Sequence, residues 1–155
     1  MKRFIVLSIV LLMLAGFAMT SSAMDFTLLA GKDINVGTLT VEIDGNGDLV
    51  VTYAIDVPWV LGETHLYVGT SAPTKSAPGR FPYGADDVVE EGKYVIDLEG
   101  LTGILYIAAH AEVTNPTEID PITLLPREET VWADGTQIRS DKNWAMYFTF
   151  EVPAP

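Results

Sequence analysis

From residue 38 onward, apolar and polar side chains alternate at every second position, and no stretch carries a sustained helical period. A period of two is the pleat of a β-strand, in which successive side chains point to opposite faces. Residues 38–43 and 49–55 are β-rich runs, and Asp44-Gly45-Asn46-Gly47-Asp48 between them predicts a hairpin loop. Further strands are predicted over 64–69, 93–98, 104–113, around 129–133 and over 144–152, with 104–113 the longest apolar run. Residues 70–83, rich in Pro, Ser, Ala and Gly, and the proline-bearing residues 114–127 are predicted as surface loops. Seven or eight strands separated by turn signals predict an all-β fold, a two-layer antiparallel β-sandwich of Ig-like or jelly-roll arrangement.

Parity along each strand sorts its faces. In the last strand Trp144, Met146, Phe148, Phe150 and Val152 share one side and are expected in the core. In the longest strand Leu105, Ile107, Ala109, Ala111 and Val113 face inward, which leaves Tyr106, Ala108, His110 and Glu112 on the other side. The 64–69 strand turns Leu66 and Val68 inward and places Glu63, His65 and Tyr67 together outside.

The N-terminus changes the setting of this fold. Lys2 and Arg3 precede an apolar run over residues 4–17, and Ser21-Ser22-Ala23 supplies small residues, the pattern of a signal peptide cleaved after Ala23. The run is shorter than the roughly 20 residues of a membrane span. The expected product is one domain over residues 24–155, secreted, periplasmic or on the surface of a prokaryote. Removing residues 1–23, which hold two basic and no acidic side chains, takes the net charge from −12 to −14. Such a balance disfavours nucleic acid and anionic membrane surfaces, because no excess of Lys or Arg is present to displace their counterions. With no cysteine, the exported chain has no disulfide staple and depends on a hydrophobic core.

The mature chain has two histidines, each with a carboxylate two residues away and a tyrosine on the same face: Glu63-x-His65-x-Tyr67 and Tyr106-x-x-x-His110-x-Glu112. Imidazole and carboxylate are donors for a divalent metal, and Glu63, His65, His110 and Glu112 are the candidate set. The same residues fit a hydrogen-bonded network or a plain solvated face equally well. The Asp44–Asp48 loop fails the EF-hand pattern, since Leu49 stands where glycine belongs and Ile55 where the bidentate glutamate belongs. Asp86, Asp87, Glu90 and Glu91 read as a solvated loop. Trp59, Tyr83 and Trp132 beside predicted loops are candidates for stacking against a sugar, or covers for the open ends of the sandwich. Ser71, Ser76 and Ser140 lie in no nucleophile-elbow pattern and there is no phosphate-binding glycine loop, so no catalytic residue is assigned and a non-enzymatic role is expected.

Five short segments recur in order: Glu63-Thr64-His65-Leu66, Ala77-Pro78-Gly79-Arg80-Phe81-Pro82-Tyr83, Ala108-Ala109-His110-Ala111, Glu129-Thr130-Val131-Trp132-Ala133 and Asn143-Trp144-Ala145-Met146-Tyr147-Phe148. This ordered set, spanning nearly the whole mature chain, resembles an uncharacterised family of secreted or surface-attached β-rich domains in bacteria and archaea. Val131, where alanine is usual, and the longer segment 115–127 depart from that pattern. The resemblance implies an extracellular domain, sometimes one module of a larger surface protein, and supplies no ligand or activity. The expectation is therefore a surface interaction module with a protein or glycan partner. A metal- or calcium-dependent domain, structural or hydrolytic, is the alternative.

Overall fold

In the computed structural model, which describes residues 23–154, the runs of β-branched and aromatic residues form ten strands and no α-helix. They are β1 (Met24–Ala30), β2 (Ile34–Ile43), β3 (Leu49–Ile55), β4 (Val60–Gly69), β5 (Val88–Glu90), β6 (Lys93–Ile96), β7 (Gly103–Ile119), β8 (Pro126–Ala133), β9 (Thr136–Gln137) and β10 (Met146–Val152). All pairings are antiparallel, in the order β5-β6-β3-β2-β1-β8-β7-β10-β9, with β4 on the remaining edge of β7. The expected leader lies outside the described residues, apart from exposed Ala23 just ahead of β1.

The sheet folds over so that its inner faces enclose one core, the all-β sandwich that the alternation predicts. Leu28, Leu39, Val51, Leu66, Ile107 and Val113 meet there, each at most 1 % exposed. Two tyrosines cross this core to tie the far ends of the strand order together. The Tyr94 hydroxyl of β6 shares a 2.7 Å hydrogen bond with Thr64 Oγ1 and donates to the Thr64 carbonyl at 3.1 Å. The Tyr53 hydroxyl of β3 donates to the His65 carbonyl at 3.2 Å. β4 is thus held on one edge by β7 and on the other by these side chains and by a backbone bridge between Leu66 and Tyr83. Tyr94→Phe is expected to cost about 1–3 kcal/mol, because Thr64 is left buried without its partner. Urea unfolding checks this, and an unchanged midpoint would remove the tie.

Several boundaries differ from the sequence reading. β1 and the start of β2 precede the first predicted strand. The predicted loop 114–127 is instead mostly hairpin, since β7 runs to Ile119 and β8 starts at Pro126. β10 begins at Met146, so Trp144 lies ahead of it, and both residues join a second cluster with Ala108, Ala145 and Trp132 on the outer face of the sheet. Met146 is buried as the alternation predicts, whereas Trp144, ahead of the strand, is half-buried.

β4 carries a bulge in which Gly62 and Glu63 stand opposite one residue of β7, Glu112. The extra residue lets Leu61 and Thr64 both face inward, although an odd separation would otherwise put them on opposite sides. Gly62 permits the close approach, since a Cβ there would sit 3.0 Å from the Glu112 carbonyl oxygen.

Candidate functional site

Downstream of the bulge the outward face of β4 carries His65 and Tyr67, and register sets His65 directly opposite His110 of β7, which in turn stands opposite Trp132 of β8. The three rings form a row across three strands. The imidazole centroids are 5.5 Å apart, and the His110 ring meets the Trp132 indole edge-on at 5.0 Å. The segment after β4 folds back over the row: Phe81 packs on Trp132 and Tyr67 at 6.0 Å each, and Tyr83 bridges to Leu66 through its backbone. This cover leaves His110 5 % and Trp132 3 % exposed.

Glu63 Oε1 lies 3.2 Å from His65 Nε2, a same-face neighbour two residues along. A proton on Nε2 would point towards that carboxylate, and Nδ1 would then be the lone-pair nitrogen. Both Nδ1 atoms, of His65 and of His110, are buried and have no hydrogen-bond partner. Burial, and secondarily the neighbouring His65, pushes the His110 pKa down to about 4, so this imidazole is neutral at physiological pH.

The two histidines are therefore adjacent, and Glu63 joins them. Glu112 does not. It lies on the floor of an open cleft of about 430 Å³ with Glu128, Thr130 and Trp144. The four-residue divalent site does not assemble: among the described residues no group of three or more His, Cys, Asp or Glu is placed to hold a metal ion. The Asp44 carboxylate accepts bonds from the backbone N–H groups of Asn46 and Asp48, which lower its pKa and build the hairpin turn. Asp87 accepts from the Gly84 N–H, and Glu90 pairs with Lys93.

The aromatic candidates are each engaged within the protein. Trp132 is buried in a strand, where a sugar cannot reach its face. Trp59 packs against the core beneath the Arg127 guanidinium, whose carbon lies 5.7 Å from the ring centroid. Tyr83 packs against the core beside β4.

A feature that the sequence reading took for a loop stands out instead. β4 ends its pairing with β7 at Thr114, so residues 115–127 continue as a two-stranded arm. At about 3.3 Å per residue it reaches roughly 15 Å beyond its last β4 partner. Asn115, 2 % exposed, anchors the base through bonds from Thr117 N–H and Oγ1 at 3.0 and 2.7 Å. Arg127 braces the side by pairing with Glu118 and Glu129, both at 2.8 Å. At the tip the Asp120 carboxylate accepts from the Ile122 and Thr123 N–H groups, both at 2.8 Å, and its pKa is lowered accordingly. Leu124 is held at φ +60°, a conformation uncommon for a bulky side chain. The braced turn presents Ile119, Ile122, Leu124 and Leu125 at 52, 89, 74 and 62 % exposure. Four large aliphatic residues in a segment otherwise read as a loop were the available signal. Compared with family models, with curated proteins and with solved structures, the chain matches none.

Proposed function

We propose that this protein is a non-enzymatic extracellular interaction module whose β7–β8 arm inserts its tip into an apolar pocket of a partner protein. The observation that carries the reading is the exposed aliphatic tip on a braced turn. Water-exposed Ile and Leu side chains gain about 25 cal/mol for each Å² of apolar surface they bury on a partner. A turn already fixed by Asp120 loses little entropy when it docks. The strained Leu124 fits this use, because glycine or asparagine would satisfy the turn more cheaply. Glu118 and Asp120 flank the tip, and Arg127, the one basic side chain of residues 115–127, is already paired, so the complementary pocket has a basic rim. The signal sequence and the resemblance to surface-attached domains support an extracellular setting.

A photoreactive amino acid at position 122, in cells that make the protein, is expected to yield one discrete protein adduct that weakens with added salt. Position 46, in the exposed hairpin turn of β2–β3, serves as the control. Leu124→Asp should abolish the adduct while leaving stability within about 0.5 kcal/mol, as for other exposed sites. Equal yields from positions 46 and 122, or an adduct that survives Leu124→Asp, would refute the reading.

A further inference from the structure

Two buried nitrogens without a partner, on adjacent rings, ask for a ligand. A buried imidazole lone pair that meets no donor carries an uncompensated desolvation cost, and such groups are uncommon in folded proteins. Here there are two, Nδ1 of His65 and Nδ1 of His110, on neighbouring tilted rings whose centroids lie 5.5 Å apart across a strand pair. Glu63 lies at the His65 Nε2, the position that a carboxylate takes behind a metal-ligating histidine.

The donor set decides which ion fits. Zinc takes about four ligands and calcium at least six oxygens, and no such set gathers here. Cu(I) and Ag(I) are satisfied by two nitrogens in a near-linear arrangement. An imidazole nitrogen lies about 1 Å from its ring centroid and a metal–nitrogen bond is about 2 Å, so a linear bridge spans roughly 6 Å between centroids. The observed 5.5 Å falls about half an ångström short of that span, a gap that a small rotation of the two side chains supplies. The surroundings also favour a single charge. Trp132, Phe81 and Tyr67 wall the row, and Gly84 lies so near that a Cβ built on it would stand 3.8 Å from His65 Cδ2. The cost of moving an ion from water into such apolar surroundings rises with the square of its charge, which disfavours a divalent ion held by two neutral rings.

We propose that His65 and His110 form a two-nitrogen site for a soft monovalent metal ion, Cu(I) or its analogue Ag(I), positioned by Glu63 and sealed by the segment 81–84. The inference stands apart from the arm, which it leaves untouched. Trp132, in edge contact with His110, is a built-in reporter.

The test is titration of the whole mature protein with Ag(I), and with Cu(I) without oxygen against a coloured chelator, read also by indole fluorescence. One ion per chain is expected, with fluorescence quenching that disappears in Trp132→Phe while the stoichiometry is kept. His65→Ala and His110→Ala should each weaken binding by roughly 100-fold or more, and Glu63→Gln by roughly 10-fold. Since His110 is buried and its alanine variant loses packing contacts, the His65→Ala result decides, with circular dichroism verifying its fold. X-ray absorption should find two nitrogen neighbours. Binding unaltered in His65→Ala, no saturable uptake of either ion, or zinc bound as tightly as Ag(I) would each overturn the proposal.

Discussion

Gly37→Ala is expected to destabilise the domain by about 4 kcal/mol or more, among the largest effects a single methyl group can have. Gly37 lies inside β2, paired on one side with Leu28 of β1 and on the other with Ile55 of β3. Its φ of +151° is open to glycine and strained for any other residue. A Cβ built there would meet the Ala54 carbonyl oxygen at 2.0 Å and the Ala54 carbonyl carbon at 3.0 Å. These are backbone atoms of a paired strand, so relief requires moving β3 rather than turning a side chain. The β1 ladder is irregular at the same place, between Leu28 and Leu29, and the Asn35 carboxamide accepts the Gly37 N–H at 3.0 Å. Gly45→Ala is the matched control, because nothing lies within 4 Å of its Cβ position. With domain stabilities of about 5–15 kcal/mol, urea midpoints should separate the two variants widely. Coincident midpoints would mean that β2 and β3 yield freely at this point.

The second large effect concerns acid. The folded His110 has its pKa pushed down to about 4, mainly by burial and then by His65, against an unfolded value of 6.5. Above the unfolded value both states are neutral and His110 contributes no pH dependence. As pH falls from 6.5 towards 4, the unfolded chain binds a proton that the folded chain refuses, so the metal-free domain loses stability. The loss is complete once pH passes below the folded value and amounts to about 3 kcal/mol. Glu63 beside His65 and Glu112 further along β7 are the carboxylates nearest this row in sequence. His110→Gln, which removes the imidazole, should flatten the stability–pH curve between 4.5 and 6.5. The parent protein should slope downwards towards acid over the same range. Identical slopes in parent and variant would show that His110 is protonated without hindrance in the folded state.

How much of the site was legible follows from particular residues. Parity put Glu63, His65 and Tyr67 on one outer face and His110 on another, and the structure keeps all four there. The adjacency of the histidines was beyond parity, because it depends on β4 pairing with β7 in one register out of many. The bulge at Gly62–Glu63 adjusts that register and is a two-versus-one count that only a partner strand defines. Trp132 misled for a related reason. Its neighbours Asp134 and Gly135 signal a turn, but β8 continues through Ala133 between β7 and β1, and Phe81 closes over the indole. The arm was read as a loop because Asn115, Pro116 and Pro121 are turn residues, whereas the extended pairing of Asn115 with Arg127 and Ile119 with Pro126 overrides local propensity.

The amino-acid order by itself determined the class of fold and, along most strands, which side chains face the core. Both are local properties: a pleat turns successive residues to opposite sides whatever lies beside it, and burial rewards the apolar set. Only the tertiary structure decided which strands are neighbours, that two imidazoles meet beneath a cover, and that an aliphatic turn is held out in solvent. Those outcomes depend on contacts between residues far apart in the chain, where a shift of one position exchanges every partner and every face.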